Sequence, residues 1–312
     1  MLRYDTDQAI TIEGIVNRLD WRNPHVYIYI EQITESGETV EWEIEGHAPI
    51  VMHRFGWVKE TLAPGEAISV KGNPHREQHI KSILPITITQ ANKTLLSMAA
   101  FFTINNFEKP TQGATSLAGL WATELDLQEV EKYLDPRNFD LTQAWLDAVE
   151  AFDEATILPD LECIPAPPPY AMLYPELKKI EIHDEEIIII GEGENTKRII
   201  HLNANKLMTA EPNLLGNSVG QWQDDTLFII TTDFSPHRNG NGPRGFESSP
   251  KKQLKEWLQL TDDGKAIEYR FELTDPTFIK SSINGKARWI YQPTAEFQPA
   301  TCSTENARKF LR

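Results

Sequence analysis

The feature that most constrains this chain is the spacing of its β signals after residue 177. Short runs recur at 178–183, 186–191, 197–202, 205–209, 218–222, 226–232, 253–260, 266–274 and 286–292. They are rich in β-branched and aromatic residues and alternate with period two. Turn signals separate them: Gly191-Glu192-Gly193, Asp224-Asp225, Asp262-Asp263-Gly264 and Asn284-Gly285. Sequential strands joined by short turns predict an antiparallel meander that closes on itself. A closed sheet of about eight strands has an interior wide enough for one small ligand, as in lipocalins. The expectation for 117–312 is therefore a calycin- or lipocalin-like barrel. One long break, Ser235 to Pro250, is rich in Gly, Asn, Pro and Arg. A break of this length predicts either a binding loop or a merely mobile one.

The first 90 residues carry a second β pattern. Strands are expected at 8–18, 25–33, 39–45, 67–70 and 80–89, with a short helix over 48–57, where Ile50, Val51 and Phe55 fall at helical spacing. Three strands, a helix and two strands is the order of an OB-like barrel, and a generic small barrel fits equally. Residues 91–116 read as a linker, with a short apolar helix over Leu95–Phe102. In the second domain Asp140 and Gln143 form an expected capping box before a helix carrying Trp145, Ala148, Val149 and Phe152. The prolines of 164–169 predict an extended strap over the barrel. The fold class is all-β, two barrels with one or two helices, divided as 1–90, 91–116 and 117–312.

Composition excludes several roles. The 312 residues carry a net charge of −16, which repels nucleic-acid phosphates and anionic lipid surfaces. No apolar run approaches the roughly 20 residues of a membrane helix. Residues 1–90 hold eight Lys/Arg against thirteen Asp/Glu, so the small barrel too is ill suited to nucleic acid. No signal peptide is visible. Eight histidines are present without HxH or HExxH spacing, so no metal site is expected.

Candidate site residues lie mostly in the large barrel. Arg198 and His201 differ by an odd number and must face opposite sides of a regular strand. An inward Arg198 needs a carboxylate, for which Glu192 or Glu194 across the hairpin is the nearest candidate. Asp233 and His237 flank the long break and could form an acid/base pair, one group moving a proton while the other orients it; Asp233 could instead cap a turn. Trp222, Arg238 and Arg244 cluster nearby, and an arginine fork suits an acidic group. Glu256, Trp257, Tyr269, Phe271 and Trp289 lie on alternating strands, either as core or as a pocket lining. Ser218 sits between glycines in a pattern like a nucleophile elbow, but a hairpin follows where the elbow needs a helix. His25, in Asn23-Pro24-His25, is a corner residue or a ligand in a groove. Cys163 and Cys302 are the only cysteines; an even pair spanning a domain suggests a staple, and two buried thiols in a reducing compartment is the alternative.

The segments Ile10–Val16, Trp21–Ile28, Gly56-Trp57 and Leu62–Glu66 resemble an uncharacterised family of exported bacterial domains over residues 4–90. Cys163-Ile164-Pro165, Gly216–Leu227, Thr232-Asp233-Phe234, Asp275-Pro276 and Cys302–Asn306 resemble a second uncharacterised domain often fused behind the first. The resemblance implies export, periplasmic or secreted, and supports the Cys163–Cys302 disulfide; it implies no reaction. The functional expectation is a hydrophobic or aromatic small molecule in the C-terminal barrel. Cofactor-independent acid/base chemistry of isomerase, lyase or hydratase type is the enzymatic form. A periplasmic carrier, an envelope interaction module and a cytoplasmic location are the alternatives.

Overall fold

The computed structural model describes residues 4–5, 7–22, 25–34, 36–54, 56–97, 109–124, 132, 138–152, 159–174, 176–193, 196–203, 211–242, 245–298 and 302–308. The chain divides into two compact units. One comprises Met1–Asn106 with Ala300–Ala307, the other Phe107–Pro299 with Arg308–Arg312.

The first unit contains β1 (Ile10–Asp20), β2 (Tyr27–Ile33), β3 (Thr39–Glu45), α1 (Pro49–Arg54), β4 (Ala67–Pro74), β5 (Ser82–Gln90) and β6 (Lys93–Ser97). Their order is β3-β2-β1-β4-β5-β6, and β3 also pairs with β5, parallel, through Glu43↔Ser82 and Ile44↔Ile83. That pairing closes β1–β5 into the barrel expected from the strand–helix–strand order. Alternation delivers an apolar interior, with Ile28, Ile30, Ile44, Val70 and Ile88 all without exposure. The expected helix over Leu95–Phe102 is instead strand as far as it is described. β6 pairs with β5 through Ile88↔Leu96, and the Trp57 indole donates to Leu95 O at 2.9 Å. An unpaired sheet edge offers backbone partners that a short apolar helix would forgo. Gly72 is required by close approach: a Cβ there would stand 2.3 Å from Leu84 O, where the β4–β5 register shifts.

The second unit contains β7 (Gly119–Glu124), α2 (Gln143–Glu150), a 3-10 turn at Pro159–Glu162, α3 (Tyr170–Leu173), β8 (Leu177–Ile182), β9 (Glu186–Gly191), β10 (Lys197–His201), β11 (Asn217–Gln223), β12 (Thr226–Thr232), β13 (His237–Gly242), β14 (Phe246–Ser248), β15 (Gln253–Leu260), β16 (Ala266–Thr274) and β17 (Ile283–Tyr291). Nine of these strands form a closed barrel in the order β10-β11-β12-β15-β16-β17-β7-β8-β9. Two features depart from a simple meander. β7, from the segment expected only to open the domain, sits between β17 and β8, and β10 pairs with β11 in parallel. The expected strand 205–209 lies outside the described residues.

Two local expectations are corrected. Thr142, not Asp140, caps α2: its Oγ1 accepts from Trp145 N. Leu141 is held in a bridge to Ile279, so the helix cannot begin before that pairing ends. The segment Ser235–Pro250 is not a free loop: β13 and β14 pair as a hairpin, and Phe246 packs edge-on against Trp145 at 6.0 Å. The proline strap is buried at 166–169 and runs directly into α3. A last short helix, α4 (Thr304–Ala307), follows Cys302. Cys163 and Cys302 are disulfide-bonded. Among the described residues no helix is long and apolar enough to cross a membrane.

Candidate functional site

β10 alternates Arg198 and Ile200 inward with Ile199 and His201 outward, as parity requires. Arg198 is 3% exposed and reaches across the neighbouring strands. Its Nε donates to Ser218 Oγ of β11 at 3.2 Å, its Nη2 to Thr231 Oγ1 of β12 at 2.7 Å, and its Nη1 to Glu256 Oε1 of β15 at 2.9 Å. Nη2 also meets Glu256 Oε2, completing a two-pronged ion pair. Tyr269 on β16 donates its hydroxyl to Glu256 Oε1 at 2.9 Å and stacks on Trp289 of β17 at 4.9 Å. Burial by itself would lower the Arg198 pKa, but the charge and hydrogen bonds of Glu256 hold it above its ordinary value. Burial, with Glu256 beside it, pushes the Tyr269 phenol well up.

Among the described residues the carboxylate partner of Arg198 is therefore Glu256 and not Glu192. Glu192 accepts from Leu177 N at 3.2 Å and Gln298 N at 3.0 Å, and Glu194 lies outside the described residues. On the other side of Trp289, buried Lys178 donates to Thr123 Oγ1 at 2.8 Å and to Tyr174 O at 2.6 Å, 5.5 Å from the indole ring. Trp289 Nε1 is buried and meets no acceptor among the described residues.

A second polar group surrounds the hairpin. His237 is 8% exposed, and its Nδ1 accepts from Asn239 N at 3.0 Å. The ring proton therefore sits on Nε2, which is buried and meets no acceptor among the described residues. Burial, assisted by nearby Lys252, lowers the His237 pKa to about 4. Lys252 has no exposure; its ammonium meets Pro168 O at 2.7 Å and Gly240 O, 4.4 Å from the Phe234 ring centroid. Burial lowers its pKa to about 7, against the opposing pull of Asp275 and Glu256. Asp275 is fully buried and accepts from Ser249 N, Ser249 Oγ, Asn241 Nδ2 and Thr277 N. Beside the hairpin a cavity of about 10 Å³, room for one water, is lined by Tyr170, Leu173, Asn241, Phe271, Leu273 and Ile283 among others.

The expected residues thus separate. Arg198, Glu256 and Tyr269 form one network. Asp233 and His237 are not brought together. Asp233 is exposed in a left-handed turn with φ 54°, its carboxylate accepting from Thr232 Oγ1 at 2.8 Å, so its turn role is the one the backbone shows. His201 faces outward, 4.0 Å from Glu186, and Trp222 is 41% exposed. Arg238 pairs with Glu247 at the surface, and Arg244 lies outside the described residues. Sequence reasoning missed Lys178, Lys252 and Asp275. The signal was available for the lysines: Lys252 shares parity with Leu254, Glu256 and Leu258, and Lys178 with Ile180, so period two turns both inward.

In the first unit His25 Nδ1 lies 2.7 Å from Glu45 Oε1, and Tyr4 OH donates to Glu45 Oε2 at 2.5 Å. Burial, with His25 nearby, lowers the His47 pKa to about 4. Among the described residues no group of three or more His, Cys, Asp or Glu gathers as a metal site would.

With this geometry in place, comparison with known proteins adds one match. Residues 1–83 are similar to a family of unknown function, DUF6152. This agrees with the resemblance drawn from the Asn-Pro-His segment. No curated protein matches the chain.

Proposed function

We propose that the large barrel binds a small hydrophobic or aromatic molecule, in the way lipocalin-like barrels do. The observations that carry this reading are two of the buried N–H donors that meet no acceptor among the described residues, Trp289 Nε1 and His237 Nε2. An unmet buried donor costs about 1–3 kcal/mol, and a ligand carbonyl or hydroxyl would remove that cost. The aromatic wall of Tyr269, Phe271 and Trp289 supplies the apolar contact. If the barrel is also a catalyst, the chemistry is proton transfer of isomerase, lyase or hydratase type. His237 is then the neutral N–H donor and Lys252 the amine base, since their surroundings set their pKa values apart, to about 4 and about 7. The disulfide supports an exported, oxidising location.

A second reading has its own support. The Arg198–Glu256–Tyr269 network already satisfies its own charges, which favours a carrier without chemistry.

The test is calorimetric titration with a panel of aromatic and aliphatic ketones, alcohols and acids, alongside native mass spectrometry of the freshly purified protein. Saturable binding is expected. Trp289→Phe keeps an aromatic ring beside Tyr269, removes the donor together with part of the ring volume, and should weaken binding about tenfold or more, at least the equivalent of one hydrogen bond. Absence of any saturable ligand, or binding unchanged in both Trp289→Phe and His237→Gln, would overturn the proposal.

A further inference from the structure

A groove separate from the barrel interior lies where β15 begins and β16 ends. Its volume is about 310 Å³, at the lower end of the roughly 300–1,000 Å³ typical of small-molecule sites. It is lined by Lys251, Gln253, Thr274, Pro276, Ile279, Lys280, Ser281 and Ser282. That lining offers two ammonium groups, three hydroxyls and an amide, and no carboxylate, on a chain of net charge −16. The local sign is the reverse of the whole.

The base of the groove is fixed in place. Asp275, between Thr274 and Pro276, has no exposure, and its oxygens are taken up by Ser249, Asn241 and Thr277. Its carbonyl accepts from Phe278 N at 2.9 Å and Ile279 N at 2.7 Å. Its charge is therefore turned away from the groove, toward the Ser249 side. Among the described residues Lys251 has no carboxylate partner. Lys280 pairs with Asp140 at 3.1 Å, with side chains 56% and 63% exposed. Such a pair is worth about 0–1 kcal/mol and yields readily to a better-placed anion.

We propose that this groove binds a small anion carried on a hydroxylated body of about monosaccharide size. Lys251 and Lys280 meet the charge; Thr274, Ser281, Ser282 and Gln253 meet the hydroxyls. A carboxylate and a phosphate ester share this chemistry.

The test is ¹⁵N–¹H NMR titration with glucose 6-phosphate, glucuronate and neutral glucose. Saturable shifts at the groove are expected for one or both anions and not for glucose, weakening as salt is raised. The greater affinity of glucose 6-phosphate or of glucuronate identifies the anion. The double variant Lys251→Glu/Lys280→Glu changes two exposed side chains and should lower affinity about tenfold or more. Lys251→Gln serves as a milder second variant if the double variant does not fold. No saturable shift with either anion, equal binding of glucose, or unchanged affinity in a folded lysine variant overturns the proposal. None of these variants touches the barrel interior, so their outcome is independent of the Trp289 and His237 measurements.

Discussion

The two barrels solve the same closure problem with opposite interiors. The small barrel is filled by aliphatic side chains, among them Ile28, Ile30, Ile44, Val70 and Ile88, and the one buried carboxylate among its described residues, Glu45, is held among Tyr4, Ser82 and His25. The large barrel carries Arg198, Glu256 and Lys178 on its inward faces, with Lys252 and Asp275 buried at the hairpin. A buried ion pair is seldom more stable than well-packed apolar residues of the same volume, because desolvation offsets most of the attraction. The small barrel is thus organised for stability, while the large one retains charge where stability did not require it.

The sharpest way to break the contrast is to remove one half of the central pair. Arg198→Met leaves Glu256 buried and unpaired and should cost about 3–5 kcal/mol in urea unfolding. The double variant Arg198→Met/Glu256→Leu should recover most of that loss. If the single variant loses less than about 1 kcal/mol, the pair is not desolvated as described.

Next in size is pH dependence. His47 in the small barrel and His237 in the large one both have folded pKa values of about 4 against an ordinary 6.5. The unfolded chain takes up these protons first as pH falls, so stability is full above pH 6.5 and declines toward pH 4, by roughly 3 kcal/mol per site. Lys252 adds a window only to the large barrel. Its folded value is about 7 against 10.5, so the unfolded chain binds that proton more tightly and stability rises with pH between those values. Unfolding measured across pH should show Lys252→Met flattening the alkaline slope and His47→Gln flattening part of the acid one. An alkaline slope unaltered by Lys252→Met would contradict its burial.

The smallest expected effect is at the surface of the small barrel. Arg18 lies 3.6 Å above the Tyr29 ring and pairs with Glu41 at 2.8 Å, both half-exposed. Arg18→Ala should cost below about 1 kcal/mol, with high salt erasing most of it. A larger loss would mean that the small barrel also depends on charge.

How much was legible differs between elements for physical reasons. The strands 226–232, 253–260 and 266–274 are found with the same bounds because alternation and tight turns are local properties of the chain. The Arg198 partner was misplaced because Glu192 is near only in sequence; barrel closure brings Glu256 within reach across β11 and β12. Asp233 and His237 were linked by proximity along the chain. The left-handed turn at Asp233 and the pairing of His237 with Ser248 send the two side chains to different surroundings. Ser235–Pro250 was read as a loop because Gly and Asn weaken β propensity, yet the contact of Phe246 with Trp145 and the hydrogen bonds of Asn239 and Asn241 hold it as a hairpin.

The sequence by itself determined the all-β class and hairpin strands such as 226–232, 253–260 and 266–274, since these follow from period two and turn chemistry. Only the tertiary structure decided which inward charges meet, which lysines lose their water and which donors stay unmet. Those outcomes depend on distances across a closed sheet, which no local pattern encodes.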